Sequence, residues 1–201
     1  MPASSGIAQP IKVWQEQNPG ARAPVIRRRL EKLTQTFLLG TPVQVDTGTG
    51  FMQACAAITS VATALIAGIS AEYGANLTSS GVAKTLTYGS VQNQSSAVLI
   101  PIGAPPNDGT TGFYQSTDDM IFVGILGNSN TAANATIAQT DLGALFGLTK
   151  DAGNNYWYID NFITTAANGG CVVITELIDP VGTLNGREAF KVAHAAQQMN
   201  I

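Results

Sequence analysis

Charge is what this chain has least of. Only 11% of its 201 residues are Asp, Glu, Lys or Arg, against about 25% in an average soluble domain. A surface so poor in charge suits a protein that works in contact with another surface. Cysteine is nearly absent as well. Cys55 and Cys171 stand far apart with no Cys-x-x-Cys spacing, which excludes the usual zinc and thiol-redox motifs and leaves two small buried hydrophobes as the expectation. His194 is the only histidine, so a catalytic triad would have to use it as the base, and no Gly-x-Ser-x-Gly elbow or suitable cysteine accompanies it. Glycine-rich phosphate cradles are missing too. The longest apolar run, Val61 to Ile69, is broken by Thr63 and Gly68 and falls far short of the ~20 residues that span a bilayer. The opening residues lack the basic and apolar regions of a secretory signal. Synthesis in a reducing cytoplasm, with no membrane partner and no cofactor, is the expectation.

The few charges present are unevenly placed. Residues 1 to 32 hold six basic groups (Lys12, Arg22, Arg27, Arg28, Arg29, Lys32) and two acidic ones, a net +4, while the remainder is net −7, together the −3 of the whole chain. Such asymmetry points to a basic arm with its own anionic partner. Met1 to Gly20 is too rich in proline for regular structure and reads as an extended arm carrying Trp14. From Pro24 to Phe37, the residues Ile26, Leu30, Leu33 and Phe37 recur at spacings of four, three and four, which predicts one face of a short amphipathic helix. Arg27, Arg28, Arg29 and Lys32 cover the rest of it. That helix reads as a solvated face of the protein's own core, a nucleic-acid contact, or a docking element for an acidic protein. The acidic composition of the remaining chain favours the protein partner over nucleic acid.

From residue 37 onward the pattern is β. Val43 and Val45 alternate with polar residues, as do Phe51, Gln53 and Cys55, and Asp46-Thr47-Gly48-Thr49-Gly50 supplies a hairpin turn. Ile58 to Ile69 is ambiguous, with a strand expected over Leu65 to Ser70. Further strands are expected at Lys84–Tyr88, Ala97–Ile102, Met120–Leu126, Asn155–Asp160, Val172–Ile178 and Ala189–His194, separated by Gly, Pro and Asn clusters. One helical turn is expected at Asp141 to Phe146. Many short strands between breakers predict a single, mainly antiparallel β-barrel or sandwich over residues 37 to 201, preceded by an arm over residues 1 to 36.

Three patterns invite a chemical reading. Asp46-Thr47-Gly48 matches the Asp-Thr-Gly of aspartic proteases, whose chemistry needs two carboxylates sharing a proton. No second copy exists in the chain, so only a homodimer would supply it. Asp108, Asp118 and Asp119 follow no calcium-loop spacing. The run Asn155-Tyr156-Trp157-Tyr158 would form a ligand platform if exposed, whereas alternation places Tyr156 and Tyr158 on one face of a strand and Trp157 and Ile159 on the other.

The run Gly40-Thr41-Pro42-Val43-Gln44-Val45, the Gly50-Phe51 return and Ile66-Ala67-Gly68-Ile69-Ser70-Ala71-Glu72 resemble the opening of small β-barrel capsid decoration, or cement, proteins of tailed bacteriophages. Residues 140–143, 147–160 and 186–192 are similar to structural proteins of phage heads, so the resemblance covers most of residues 37 to 195. It implies a non-enzymatic virion protein, commonly a homotrimer, bound to the outer surface of an icosahedral shell. There it would reinforce contacts between subunits of the major capsid protein. The partner-binding residues would be Trp14, Arg22, Ile26, Arg27, Arg28, Arg29, Leu30, Lys32, Leu33 and Phe37. Two alternatives stand beside it: a head-fibre or tail-associated β-domain binding host glycans, and a dimeric aspartic protease acting through Asp46.

Overall fold

The computed structural model describes residues 9–16, 24–32, 35–56, 65–74, 83–87, 97–101, 110–131 and 134–199. Its strands are β1 (Lys12–Glu16), β2 (Ile26–Leu30), β3 (Pro42–Val45), β4 (Met52–Ala54), β5 (Gly68–Ser70), β6 (Ala83–Thr87), β7 (Ala97–Pro101), β8 (Thr110–Gln115), β9 (Met120–Gly127), β10 (Leu145–Lys150), β11 (Trp157–Asp160), β12 (Val172–Leu177) and β13 (Arg187–Val192). The mainly β class expected from the breakers is what the chain adopts.

Five of these strands close a barrel. β9 pairs in parallel with β11, β11 with β10, β10 with β12, β12 with β13, and β13 returns to β9. All of these pairings except the first are antiparallel. β9 reads MIFVGILG, a continuous apolar run rather than an alternation, because both of its faces are covered. Phe122 and Leu126 point into the main core with Trp157, Ile159, Phe190 and Val192. Ile125 packs on the opposite side with Leu38, Tyr156 and Tyr158. The alternation expected within residues 156–159 is therefore present, and the whole aromatic run is buried.

A second sheet runs in the order β2-β8-β5-β3-β4. The β3–β4 hairpin turns where the glycines predicted it. Asp46 accepts the Gly48 N–H at 2.9 Å and Gly50 takes φ +73°, a left-handed conformation that glycine adopts without strain. β5 lies so close to β8 that a Cβ on Gly68 would stand 2.1 Å from the Tyr114 carbonyl oxygen. The inner face of this sheet buries Val43, Met52, Ala67 and Phe113. Ile69 and Cys55 join the main core of the closed barrel, so the opposite face of this sheet packs against that core. β6 and β7 form a separate antiparallel pair.

Two expectations are corrected. Residues 26–30 form strand β2, not a helix, and pair antiparallel with β8 from Ile26↔Tyr114 to Leu30↔Thr110. The four-three-four spacing is real, but a helix of three turns is marginal alone in water, and the edge of β8 offers a full ladder of hydrogen bonds instead. The helical turn expected at Asp141 to Phe146 is a 3-10 turn at Gln139–Asp141, after which Leu145 begins β10. Gly143 at φ +78° interrupts any helix there, and the Gly143 N–H donates to the Ile174 carbonyl at 2.9 Å, tying the segment to β12.

The segment expected to dock elsewhere contributes to this body. β1 pairs antiparallel with β9, from Lys12↔Val123 to Glu16↔Met120. Ile11, just before it, is 2% exposed within the main core. Residues 1 to 36 thus supply a strand to each of the two larger sheets. Of the other expected elements, residues 58–64 lie outside those described, and β5 covers Gly68–Ser70 of the strand expected over Leu65 to Ser70.

Asp160 fastens the barrel's end. It is fully buried at the end of β11 and accepts hydrogen bonds from the backbone N–H groups of Ser129 and Phe162, both at 3.1 Å, and from the Thr149 hydroxyl at 2.7 Å. Asp160→Ala leaves three donors short of an acceptor, and chemical denaturation is expected to show a loss of about 2–4 kcal/mol. A loss no larger than that of an ordinary surface substitution would contradict this role.

Candidate functional site

β2 reads Ile-Arg-Arg-Arg-Leu, and all five of its side chains are exposed. Strand alternation sorts them. Arg27 and Arg29 stand opposite Phe113 and Thr111, whose side chains are buried on the inner face of β8. Ile26, Arg28 and Leu30 share the other face. Arg28 forms an ion pair with Glu72 and reaches the Thr110 hydroxyl at 3.3 Å. Glu72 also accepts the Gly112 N–H at 3.2 Å, so this pair is fixed to the sheet. Lys32 pairs with Asp46 and donates to the Gln53 amide oxygen at 3.0 Å.

Arg27 and Arg29 are different. Neither has an ion-pair partner among the described residues, and Arg29 donates only to the Gly50 carbonyl at 3.4 Å. They border a groove of about 500 Å³ lined also by Val25, Ile26, Phe113, Gln115 and Met199. Val25, Ile26 and Leu30 beside them are 52%, 44% and 52% exposed. Two guanidinium groups with no ion-pair partner among the described residues, next to three exposed apolar side chains, form an amphipathic strip suited to an acidic protein surface, where apolar contact accompanies charge.

The other expected partner-binding residues are not all brought to this strip. Trp14 sits on β1 in the other sheet, half exposed, with its indole N–H donating to Glu176 at 3.3 Å. It lines a separate pocket of about 220 Å³ with Val123 and Arg187. Phe37 is 6% exposed and packs with Val43, Met52 and Phe113 in this chain's own core. It is not displayed for a partner because the helical face that grouped it with Ile26 and Leu30 does not form. Arg22 and Leu33 lie outside the described residues.

The chemical candidates have structural employment. The Asp46 carboxyl is held below its ordinary range by the Lys32 hydrogen bond first and by the Gly48 N–H second. A protease dyad needs one carboxyl pushed the other way. His194 is exposed, with Nδ1 3.4 Å from Asp118, whose other partner is the Gln197 amide at 2.9 Å. Burial pushes the Cys55 thiol up, and the Cys171 thiol up to about 12, so both are protonated. Trp157, Tyr156 and Tyr158 are 3%, 5% and 3% exposed, so the run offers no stacking surface to a sugar. Among the described residues no helix is long and apolar enough to cross a membrane.

Sequence reasoning missed one buried pair. Glu188 on β13 is fully buried, and neither of its carboxyl oxygens has a hydrogen-bond acceptor or donor assigned among the described residues. It shares its face with Phe190 and Val192, inside the barrel, and pairs in register with Gly124 of β9. Burial first, and the neighbouring Asp141 second, push the Glu188 carboxyl up to about 8. The only signal for it in the sequence is a charged residue at an inward position of an alternating strand.

No family model matches the chain, and neither a curated protein nor a solved structure matches it.

Proposed function

We propose that this protein is a structural, non-enzymatic virion component that binds the outer surface of a phage capsid and reinforces contacts between capsomers. Its partners are the major capsid protein and further copies of itself in a homotrimer. The resemblance of residues 37 to 195 to capsid decoration proteins supports the reading, and so does the low charge of the chain. The observation that carries it is β2, an arginine-rich strand with all five side chains exposed and two of its guanidinium groups lacking an ion-pair partner among the described residues.

β2 presents its side chains from a paired strand rather than from an unstructured arm. Ordering a free segment on binding costs ~1 to 2 kcal/mol per residue in backbone entropy, and a strand already held by β8 avoids that cost. Deleting residues 1 to 36 would remove a strand from each of the two larger sheets, so charge reversal is the cleaner test. In sedimentation with expanded shells, Arg27→Glu/Arg29→Glu is expected to lower the bound fraction about tenfold at low salt, and wild-type binding to weaken as salt rises. Equal sedimentation of variant and wild type would remove β2 from the docking mechanism.

A further inference from the structure

The second sheet is closed at one end only. β2 is hydrogen-bonded along one edge to β8. Its other edge meets β4 at a single parallel bridge, Glu31↔Met52, just beyond the end of the strand. Along residues 26–30 no described strand covers that edge. In an antiparallel ladder successive residues turn their backbone groups alternately toward and away from the neighbour. About half of the N–H and C=O groups of β2 therefore face the open side, beside the groove that Phe113 and Met199 floor.

We infer that the open edge of β2 accepts an extended segment of the capsid protein as an added strand, with apolar residues opposite Ile26 and Leu30 and carboxylates opposite Arg27 and Arg29. The inference rests on the capsid-binding reading for the source of the segment, and on the sheet alone for its pattern. Directly opposed residues share a face. An incoming strand must then read apolar, acidic, any, acidic, apolar, the central position facing Arg28, whose charge Glu72 already neutralises. The pattern is the same in both chain directions, so it holds for parallel and antiparallel addition. Arginine on an edge strand also discourages unwanted pairing. That role alone gives no reason to keep Ile26 and Leu30 exposed on the same strand.

The test uses the full chain and two synthetic peptides of equal charge and composition, Thr-Val-Glu-Thr-Glu-Val-Thr and its swapped form Thr-Glu-Val-Thr-Val-Glu-Thr. The first is expected to bind about tenfold more tightly, as several favourable cross-strand pairs add up, and to slow amide hydrogen exchange over residues 26–30. The exposed double variant Arg27→Glu/Arg29→Glu is expected to prefer the counterpart with lysine in place of glutamate. Equal binding of the two peptides, or binding without slowed exchange, would overturn strand addition while leaving shell sedimentation to decide capsid binding. Peptide discrimination by a protein that does not sediment with shells would overturn the capsid as the source of the segment.

Discussion

Between about pH 5 and pH 8 the protein is expected to lose a few kcal/mol of unfolding free energy, and Glu188→Gln is expected to remove most of that loss. Glu188 lies wholly inside the closed barrel with Phe190 and Val192, and its ordinary value of 4.5 is raised to about 8, chiefly by burial and then by Asp141. In that range the folded state holds a proton that the unfolded state has released. Stability therefore falls as pH rises, by up to about 1.4 kcal/mol per pH unit, and the fall levels off above the folded value. The contribution is fully present only below about 4.5. Asp46, Asp118 and Asp179 are shifted the other way, Asp179 by its hydrogen bonds from Arg187. Their contributions fail only as pH falls below the normal carboxylate range, so they do not mask the window. Glutamine matches the protonated acid in shape and stays uncharged at every pH in the range. Urea unfolding at several pH values checks this. Parallel curves for wild type and variant would show that Glu188 is not the group responsible.

Phe190→Ala is expected to destabilise the protein by about 3–5 kcal/mol. Phe190 is fully buried on β13, and its ring lies 5.8 Å from that of Phe122 on β9 at an angle of 33°. These two strands pair directly and complete the ring of five. Truncation removes the ring's buried surface and leaves a cavity walled by Ile159 and Ile11, the side chains nearest the neighbouring Gly124. Rigid strands on every side limit how far that cavity can collapse. Because Ile11 precedes β1, the same substitution is expected to speed amide exchange in residues 12–16 before the second sheet responds. A loss below about 1 kcal/mol would mean that the barrel interior is not packed around this pair.

Much of the fold was legible because strand patterning is local. The β3–β4 hairpin, β9, β11, β12 and β13 all stand where β-branched and aromatic residues lie between Gly, Asn and Pro breakers. β8 escaped notice because Thr-Thr-Gly-Phe-Tyr-Gln carries a central glycine and polar ends. That glycine is explained only by its neighbours, since a Cβ on Gly112 would meet Ile26 at 2.8 Å and Glu72 at 3.0 Å. β10 was hidden behind a plausible turn at Asp141. β2 was misread because Ile26 and Leu30 satisfy a helical spacing and a strand alternation equally well, and the choice depended on β8, more than eighty residues away. Arg27, Arg28 and Arg29 were rightly grouped as a basic surface, yet their division could not be read locally. Glu72 singles out Arg28, and only the folded sheet brings it there.

Capsid binding is tested most directly by electron cryo-microscopy of expanded particles with and without the protein. Difference density is predicted on the outer surface at capsomer junctions, in copies related by a local threefold axis, with β2 turned toward the shell. Density inside the shell, at the tail, or nowhere on the particle would contradict the proposed function.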